Sequence, residues 1–349
     1  MPEKINGQRL REKVIGSIMG VAIGDALGLP LECKSPHIIR ELFGYVDTYV
    51  PNTLHKFKEV SRRAAGTFSD DTQLTLALAD SLERTGGYSL PDIAKAYTEA
   101  YDGKWGKKLG WGGTTRKAVE NIKQGIKPTA IPEGAGNGPP MKITPLAVYC
   151  VYKCSVTSHH KFTNSFNAAL LKKCKEISLI THGDPRCIVA SYCQTRMIIR
   201  ALQDELPEFT RQIAALFIED AKYAESKLNF TADHSVMLSR RLEEFLTTYY
   251  FTKSTSVVST NICTEQSSFI LNSYPMVAYC ASKYIPYKNF QHAVLQTINA
   301  GADADSNGAM VGTIVAADLG WNALPIDLIH GLKQWKMVLK QAKKFEMSL

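Results

Sequence analysis

The chain has 349 residues, 45% of them hydrophobic and 21% charged, a balance that supports a large buried core and excludes global disorder. The formal net charge of +8 admits an anionic partner, but the basic residues are scattered, and short clusters such as Lys107-Lys108, Lys172-Lys173 and Lys343-Lys344 read as solvated helix faces. The eight cysteines are irregularly spaced with no CxxC pair, which excludes a zinc ribbon or thioredoxin-like motif and suits reduced thiols in a cytoplasmic or nuclear protein.

The first predicted element is Val14 to Leu31. It is mostly apolar and follows Arg11-Glu12-Lys13, the profile of a signal peptide or membrane span. Asp25 and the glycines at 16, 20, 24 and 28 argue instead for a buried helix, and no membrane contact is expected. The next helix carries Leu74, Ala77, Leu78 and Leu82 at helical spacing behind the polar start Ser69-Asp70-Asp71-Thr72.

Two turn-rich loops follow, Gly106 to Gly113 and Pro132 to Pro140. Neither is a P-loop, and neither carries GxGxxG after a strand. Residues 154–165 read as a polar surface stretch. Cys187 to Leu206, Arg211 to Leu228, Ser235 to Phe251 and Ser267 to Lys283 read as helices, and Val294 to Ile298 as the core of another. Sustained apolar/polar alternation is missing, so the expected class is all-α. No strong linker divides the chain, so one domain over 1–349 is expected, with a monomer as the default.

Two segments share an unusual stripe. Gly16, Gly20, Gly24 and Gly28 recur every four residues, as do Gly308, Gly312, Ala316 and Gly320, which places each set on one helix face. Glycine in a helix costs about 1 kcal/mol relative to alanine, so something must offset it. Close backbone contact between two central helices is the simplest answer.

The chemistry begins with Ser69-Asp70-Asp71-Thr72. One reading is a helix cap, with Ser69 at the N-cap and the aspartates complementing the dipole. The other is a metal-binding arm. Asp303-Ala304-Asp305-Ser306, ahead of the second glycine-striped helix, repeats the pattern of carboxylates plus a hydroxyl. These are hard ligands suited to Mg²⁺, Mn²⁺ or Ca²⁺. Four carboxylates brought together would repel one another, and a pair of divalent cations would remove that repulsion. Asp25 is expensive in an apolar helix unless paired; it either orients the metal arms or caps another helix. Glu32 follows Pro30, where the helix ends. His182, in Thr181-His182-Gly183-Asp184-Pro185, is the histidine that stands out, although nothing near it forms a zinc triad, and His159-His160 reads as exposed.

Taken together, these residues resemble the ADP-ribosylglycohydrolases, the family of dinitrogenase reductase-activating glycohydrolase. The motifs run in order over nearly the whole chain: Gly24-Asp25-Ala26-Leu27-Gly28 with Glu32, Ser69-Asp70-Asp71-Thr72, Gly110-Trp111-Gly112-Gly113, Gly136-Asn137-Gly138 with Met141, Thr181-His182, and Gly301-Ala302-Asp303-Ala304-Asp305-Ser306. Each is weak alone; their order and spacing make the match specific.

The resemblance implies a compact orthogonal multi-helix bundle around a binuclear magnesium centre, in some members manganese. Ser69, Asp70 and Asp71 match one ligand arm, and Asp303, Asp305 and Ser306 the other. Glu32 matches a mobile glutamate that approaches metals and substrate. Gly112, Gly113, Gly136 and Asn137 match loops holding the diphosphate and riboses of ADP-ribose, and His182 a residue near the bound ribose. The implied reaction is hydrolysis of the glycosidic bond between ADP-ribose and a protein side chain (arginine or serine) or another acceptor, with Glu32, Asp71 and Asp303 as the catalytic carboxylates. The implied partners are ADP-ribosylated proteins or small molecules containing ADP-ribose, with nucleic acid only as a modified substrate. The alternatives are a non-catalytic relative and a two-metal phosphohydrolase.

This sequence departs from the family pattern in places. Ser69 and Ser306 stand where several relatives have threonine. Ala302 replaces a common glycine, Ala135 falls where some relatives carry an aromatic against adenine, and Lys142 stands where arginine is frequent.

Overall fold

In the computed structural model, the Gly7–Gly28 and Ala304–Leu319 helices lie against each other at the centre, backbone on backbone. A Cβ added at Gly24 would stand 2.1 Å from the Gly308 carbonyl oxygen, one at Gly20 2.5 Å from that of Gly312, and one at Gly28 2.2 Å from that of Ala304. The stripes are therefore an interface that no side chain can enter, which offsets the helical cost of glycine by close packing. Gly320 does something else: it ends its helix at φ +87, the left-handed region glycine adopts without strain.

The structure describes residues 7–51, 63–106, 110–155, 163–230, 236–248, 253–260 and 267–349. Lys107-Lys108, His159-His160 and Cys263 lie outside them. Among the described residues the regular structure is helical, and the bridges between extended residues are isolated: Lys34 with Ala302, Ile131 with His182, Gly136 with Phe269. The all-α expectation holds.

The first helix is long and apolar enough to cross a membrane by length and composition, but its apolar window is 94% buried inside the fold. It is apolar on every face because helices surround it. Its buried Lys13 donates to the Ala201 carbonyl at 2.7 Å and to Asp204 at 2.8 Å.

Predicted helices appear with adjusted ends. The Asp70–Arg84 helix contains the Leu74–Leu82 repeat. The helix expected over Cys187 to Leu206 is Pro185–Leu202: Asp184 caps its start, accepting from the Arg186 N–H at 2.8 Å, and Asp204 takes φ +58 just past its end. Arg211 to Leu228 appears as Thr210–Glu225, Ser267 to Lys283 as Ile270–Tyr284, and Val294 to Ile298 lies within Phe290–Ile298. Of the predicted Ser235 to Phe251, the described helix is Leu238–Thr248, and the remainder lies largely outside the described residues. Pro275 sits inside the Ile270–Tyr284 helix. Its missing N–H frees the Leu271 carbonyl, which accepts from Arg241 Nε at 3.3 Å. Among the described cysteines, Cys33 is exposed, while Cys150, Cys174, Cys187, Cys193 and Cys280 are buried, and all are free thiols.

Candidate functional site

The site is built outward from Asp25, fully buried on the central Gly7–Gly28 helix. Its carboxylate accepts the Ser69 N–H at 2.9 Å, the Thr72 N–H at 3.1 Å and the Thr72 hydroxyl at 2.6 Å. The start of the Asp70–Arg84 helix has backbone donors without partners inside the helix, and Asp25 satisfies them from outside. Asp25 is thus a positioning residue. Ser69 is the N-cap: its Oγ accepts from the Asp71 N–H at 3.3 Å and donates to Asp71 Oδ2 at 3.0 Å. The cap reading and the ligand-arm reading describe the same residues, since the cap fixes Asp71 in one orientation.

The second arm is set by a reversal before Asp303. Gly301 has φ +71, and a Cβ there would lie 2.1 Å from the Lys34 carbonyl oxygen, so glycine is required. Ala302 has φ +59, a conformation that costs a non-glycine residue about 1–2 kcal/mol, so the family's common glycine would be relaxed where this alanine is strained. Two hydrogen bonds hold it: the Cys33 N–H donates to the Ala302 carbonyl at 2.7 Å, and the Ala302 N–H to the Lys34 carbonyl at 2.9 Å. The segment carrying Glu32 is thereby tied to the loop carrying Asp303. Asp305 and Ser306 follow in the first turn of the Ala304–Leu319 helix, and Ser306 Oγ donates to Asp71 Oδ2 at 3.3 Å, joining the two arms.

The carboxylates converge. Oxygens of Asp25, Asp71 and Asp305 lie within 4.8 Å of one another, as do those of Glu32, Asp303 and Asp305. Asp70 is buried beside them, outside both groupings, and accepts from the Gly112 N–H. Asp71 Oδ1 and Asp305 Oδ1 are buried with no hydrogen-bond partner. Burial, then the neighbouring carboxylates, pushes Asp71 and Asp305 well above the ordinary carboxylate range. Burial and Glu32 raise Asp303 to about 7, and burial and Asp25 raise Asp70 to about 8. So many acids in a dry pocket cannot all ionise without a compensating cation. Unpaired carboxylate oxygens flanked by serine hydroxyls are the hard donors that Mg²⁺ or Mn²⁺ takes, and the residues present fit such ions.

Beside the cluster lies the glycine-rich cleft. Gly112 and Gly113 are exposed at the start of the Gly113–Lys123 helix, and an added Cβ on either would meet nothing within 4 Å. Their neighbour Trp111 is fixed by an Nε1 bond to Gln73 Oε1 at 2.8 Å. Gly136 and Gly138 pack on His182: a Cβ on Gly138 would stand 2.6 Å from His182 Cε1. His182 Nδ1 pairs with Thr181 Oγ1 at 2.8 Å, and burial followed by the Lys142 charge holds the ring well below the ordinary histidine range, so it is neutral.

Asn137 is buried, and its Nδ2 donates to Ser273 Oγ at 2.8 Å and to Asp303 Oδ2. Ser273 in turn donates to Asn307 Oδ1 at 2.8 Å. Asn137 therefore orients a carboxylate of the cluster, and its own backbone is anchored, its N–H donating to the Ser268 carbonyl at 3.0 Å and its carbonyl accepting from the Met141 N–H at 3.3 Å.

Sequence reading missed Phe269, Ser273, Asn307 and Arg63. Phe269 is half-buried, bridges Gly136 and lies 5.3 Å from the Arg186 guanidinium, which sets an aromatic ring beside the Gly136 loop. No local pattern marks it, because it reaches the cleft through pairing with a loop more than a hundred residues earlier in the chain.

The class is that of all-α proteins in which two helix starts, brought together by a glycine-packed helix pair, gather buried acidic residues beside glycine-rich loops. The chain belongs to the ADP-ribosylglycohydrolase family, whose model matches residues 6–348. It is 26% identical to an uncharacterized protein of Archaeoglobus fulgidus over 345 residues, covering 96% of each chain. It is 22% identical to the ADP-ribosyl-[dinitrogen reductase] glycohydrolase of Rhodospirillum rubrum, covering 92% of this chain and 90% of that one. A solved chain of an ADP-ribosylglycohydrolase-related protein complex shares the fold, with a TM-score of 0.68 at 22% identity, over 98% of this chain and all of its own length.

Proposed function

We propose that this chain hydrolyses the glycosidic bond linking ADP-ribose to an acceptor, as a metal-dependent enzyme. The acceptors proposed are arginine or serine side chains of ADP-ribosylated proteins, or ADP-ribose-containing small molecules. The observation that carries the reading is the pair of unpartnered buried oxygens, Asp71 Oδ1 and Asp305 Oδ1, among carboxylates that burial makes hard to ionise.

Asp70, Asp71, Asp303, Asp305, Ser69 and Ser306 would hold two Mg²⁺ ions, with Mn²⁺ as the other ion this donor set takes. Bound there, the ions supply charge neutralisation, orient ribose hydroxyls and lower the pKa of water.

The chain's own residues do the rest. Gly112, Gly113 and Gly136 leave room for close backbone approach to the diphosphate. Phe269 offers a face to adenine, and neutral His182 lines the ribose side through its contact with Gly136 and Gly138. Glu32 is the half-exposed carboxylate of the group, so it reaches toward the acceptor and delivers the leaving group's proton. Asp303, oriented by Asn137 and ionised once bound cations offset the crowding of the carboxylates, would take the proton from the attacking water. The negative oxygens around the distal ribose favour an oxocarbenium-like transition state.

The test is a panel of arginine-, serine- and acetyl-linked ADP-ribose substrates, assayed with Mg²⁺ and with EDTA. Mg²⁺-dependent release of free ADP-ribose is expected. AMP as product would mean pyrophosphate cleavage instead, and no turnover on any linkage would favour a non-catalytic relative.

A further inference from the structure

Arg63 is 5% exposed, and its Nε and both Nη atoms are shielded from solvent with no hydrogen-bond partner among the described residues. A Cβ placed on Gly110 would stand 3.2 Å from Arg63 Nη2, 3.5 Å from Nη1 and 3.5 Å from Ser69 Cβ, so the guanidinium lies at the root of the first carboxylate arm. A buried guanidinium loses its hydration and here makes no hydrogen bond in return, an arrangement that persists only if nearby negative charge offsets it. Burial is the largest influence and pulls the guanidinium below its ordinary range, while Asp25, Asp70, Asp305 and Glu32 act against it in part.

We infer that Arg63 is the resident counter-charge of the carboxylate cluster: it holds the arms together before any divalent cation binds, and it lowers the cluster's affinity for such cations. The inference rests on the proposed reading of the cluster as a divalent-cation centre. Its physical content is a linkage. A fixed positive charge stabilises the cation-free cluster and repels an incoming cation, so the same substitution must move both quantities in opposite directions. The fork also suits this role better than an ammonium in one respect, because it cannot shed its proton when buried. Two buried lysines are also at the cluster: Lys142 acts on Asp70 and Asp71, with burial pushing its ammonium down to about 8, and Lys34 acts on Glu32 and Asp305.

The test compares wild type, Arg63→Met and Arg63→Lys in two measurements: melting temperature in EDTA and in saturating Mg²⁺, and calorimetric Mg²⁺ titration without substrate. Arg63→Met should melt lower than wild type in EDTA, recover in Mg²⁺, and bind Mg²⁺ about tenfold tighter or more, the order expected for removing one like charge from a partly buried site. Arg63→Lys should stay close to wild type in both. Arg63→Met melting at or above wild type in EDTA, as simple removal of an unsatisfied guanidinium would give, overturns the inference, and so does an unchanged Mg²⁺ affinity. Weaker ADP-ribose binding with unchanged Mg²⁺ affinity overturns it too, and assigns Arg63 to a substrate oxyanion. If both variants fail to fold in either buffer, shape rather than charge matters there, and the inference fails. Wild type that binds no Mg²⁺ defeats the metal reading of the site, while the EDTA melting series still decides the counter-charge by itself.

Discussion

Asp25 and Thr72 are joined twice, through the Thr72 hydroxyl at 2.6 Å and its backbone N–H at 3.1 Å, both to the same carboxylate oxygen. The central helix thus fixes the start of the helix that presents Asp70 and Asp71. Asp25→Asn keeps the shape but turns an acceptor into a donor facing N–H groups. A charge-assisted hydrogen bond contributes about 1.5–3 kcal/mol, and a misplacement of about 1 Å in a reacting group costs on the order of a hundredfold. Denaturant titration should show a loss near 2 kcal/mol. Turnover should fall by about a hundredfold or more even under conditions where the variant is fully folded.

Gly24→Ala should be among the most damaging small substitutions in the chain. The new methyl would meet the Gly308 carbonyl at 2.1 Å, and backbone cannot swing aside as a side chain can. A loss of about 3 kcal/mol or more is expected by chemical denaturation. Gly7→Ala is the control: an added Cβ there meets nothing within 4 Å, and stability should change by less than about 0.5 kcal/mol.

Asp303→Asn removes the proton acceptor and one arm's charge while leaving the Asn137 contact one oxygen short. ADP-ribose release should drop to background, and calorimetric Mg²⁺ affinity should fall at least tenfold, about 1.4 kcal/mol. Full activity of this variant at saturating Mg²⁺ would remove Asp303 from the chemistry.

Without divalent cations, stability should decline as pH rises. Burial raises the folded-state carboxyls to about 6 at Asp25, about 7 at Asp303 and about 8 at Asp70, all above the unfolded value of about 3.9. The folded state therefore binds more protons across this window. Stability present below about pH 4 is lost as pH climbs through the folded values, by about 1.4 kcal/mol per pH unit for each extra proton held. Melting curves in EDTA between pH 5 and pH 8 should show the decline, and Mg²⁺ should flatten it.

Phe269→Ala should weaken ADP-ribose binding by roughly tenfold, within the range of one base–aromatic stack, without changing Mg²⁺ affinity. Equal loss of ribose 5-phosphate binding would place Phe269 away from the adenine.

Much of this was legible in the chain because the relevant signals are local. Glycines every four residues can only face one side of a helix, and here that side is the central contact. Paired carboxylates behind a serine mark a helix start, whichever role they play. What escaped was carried by long-range pairing. Phe269 enters the cleft only because its strand-like approach bridges Gly136, and Asn137 is turned toward Asp303 only because Ser273 receives it. Arg63 has no motif of its own, since its significance lies in what fails to contact it. Helix ends drifted where a single residue such as Asp204 reversed the chain inside a pattern that looked periodic.

The glycine stripe has a metrological consequence. Asp25 sits on one striped helix, Asp305 and Ser306 on the other, and their separation is set where one main chain touches another, with nothing larger than the Ala316 methyl at the seam. Long side-chain spacers wobble through rotamers, whereas a main-chain stop does not. The gauge that fixes the gap between the acidic arms is therefore a lack of side-chain bulk along a seam running away from the site, and size discrimination among ions would be inherited from residues that never meet one.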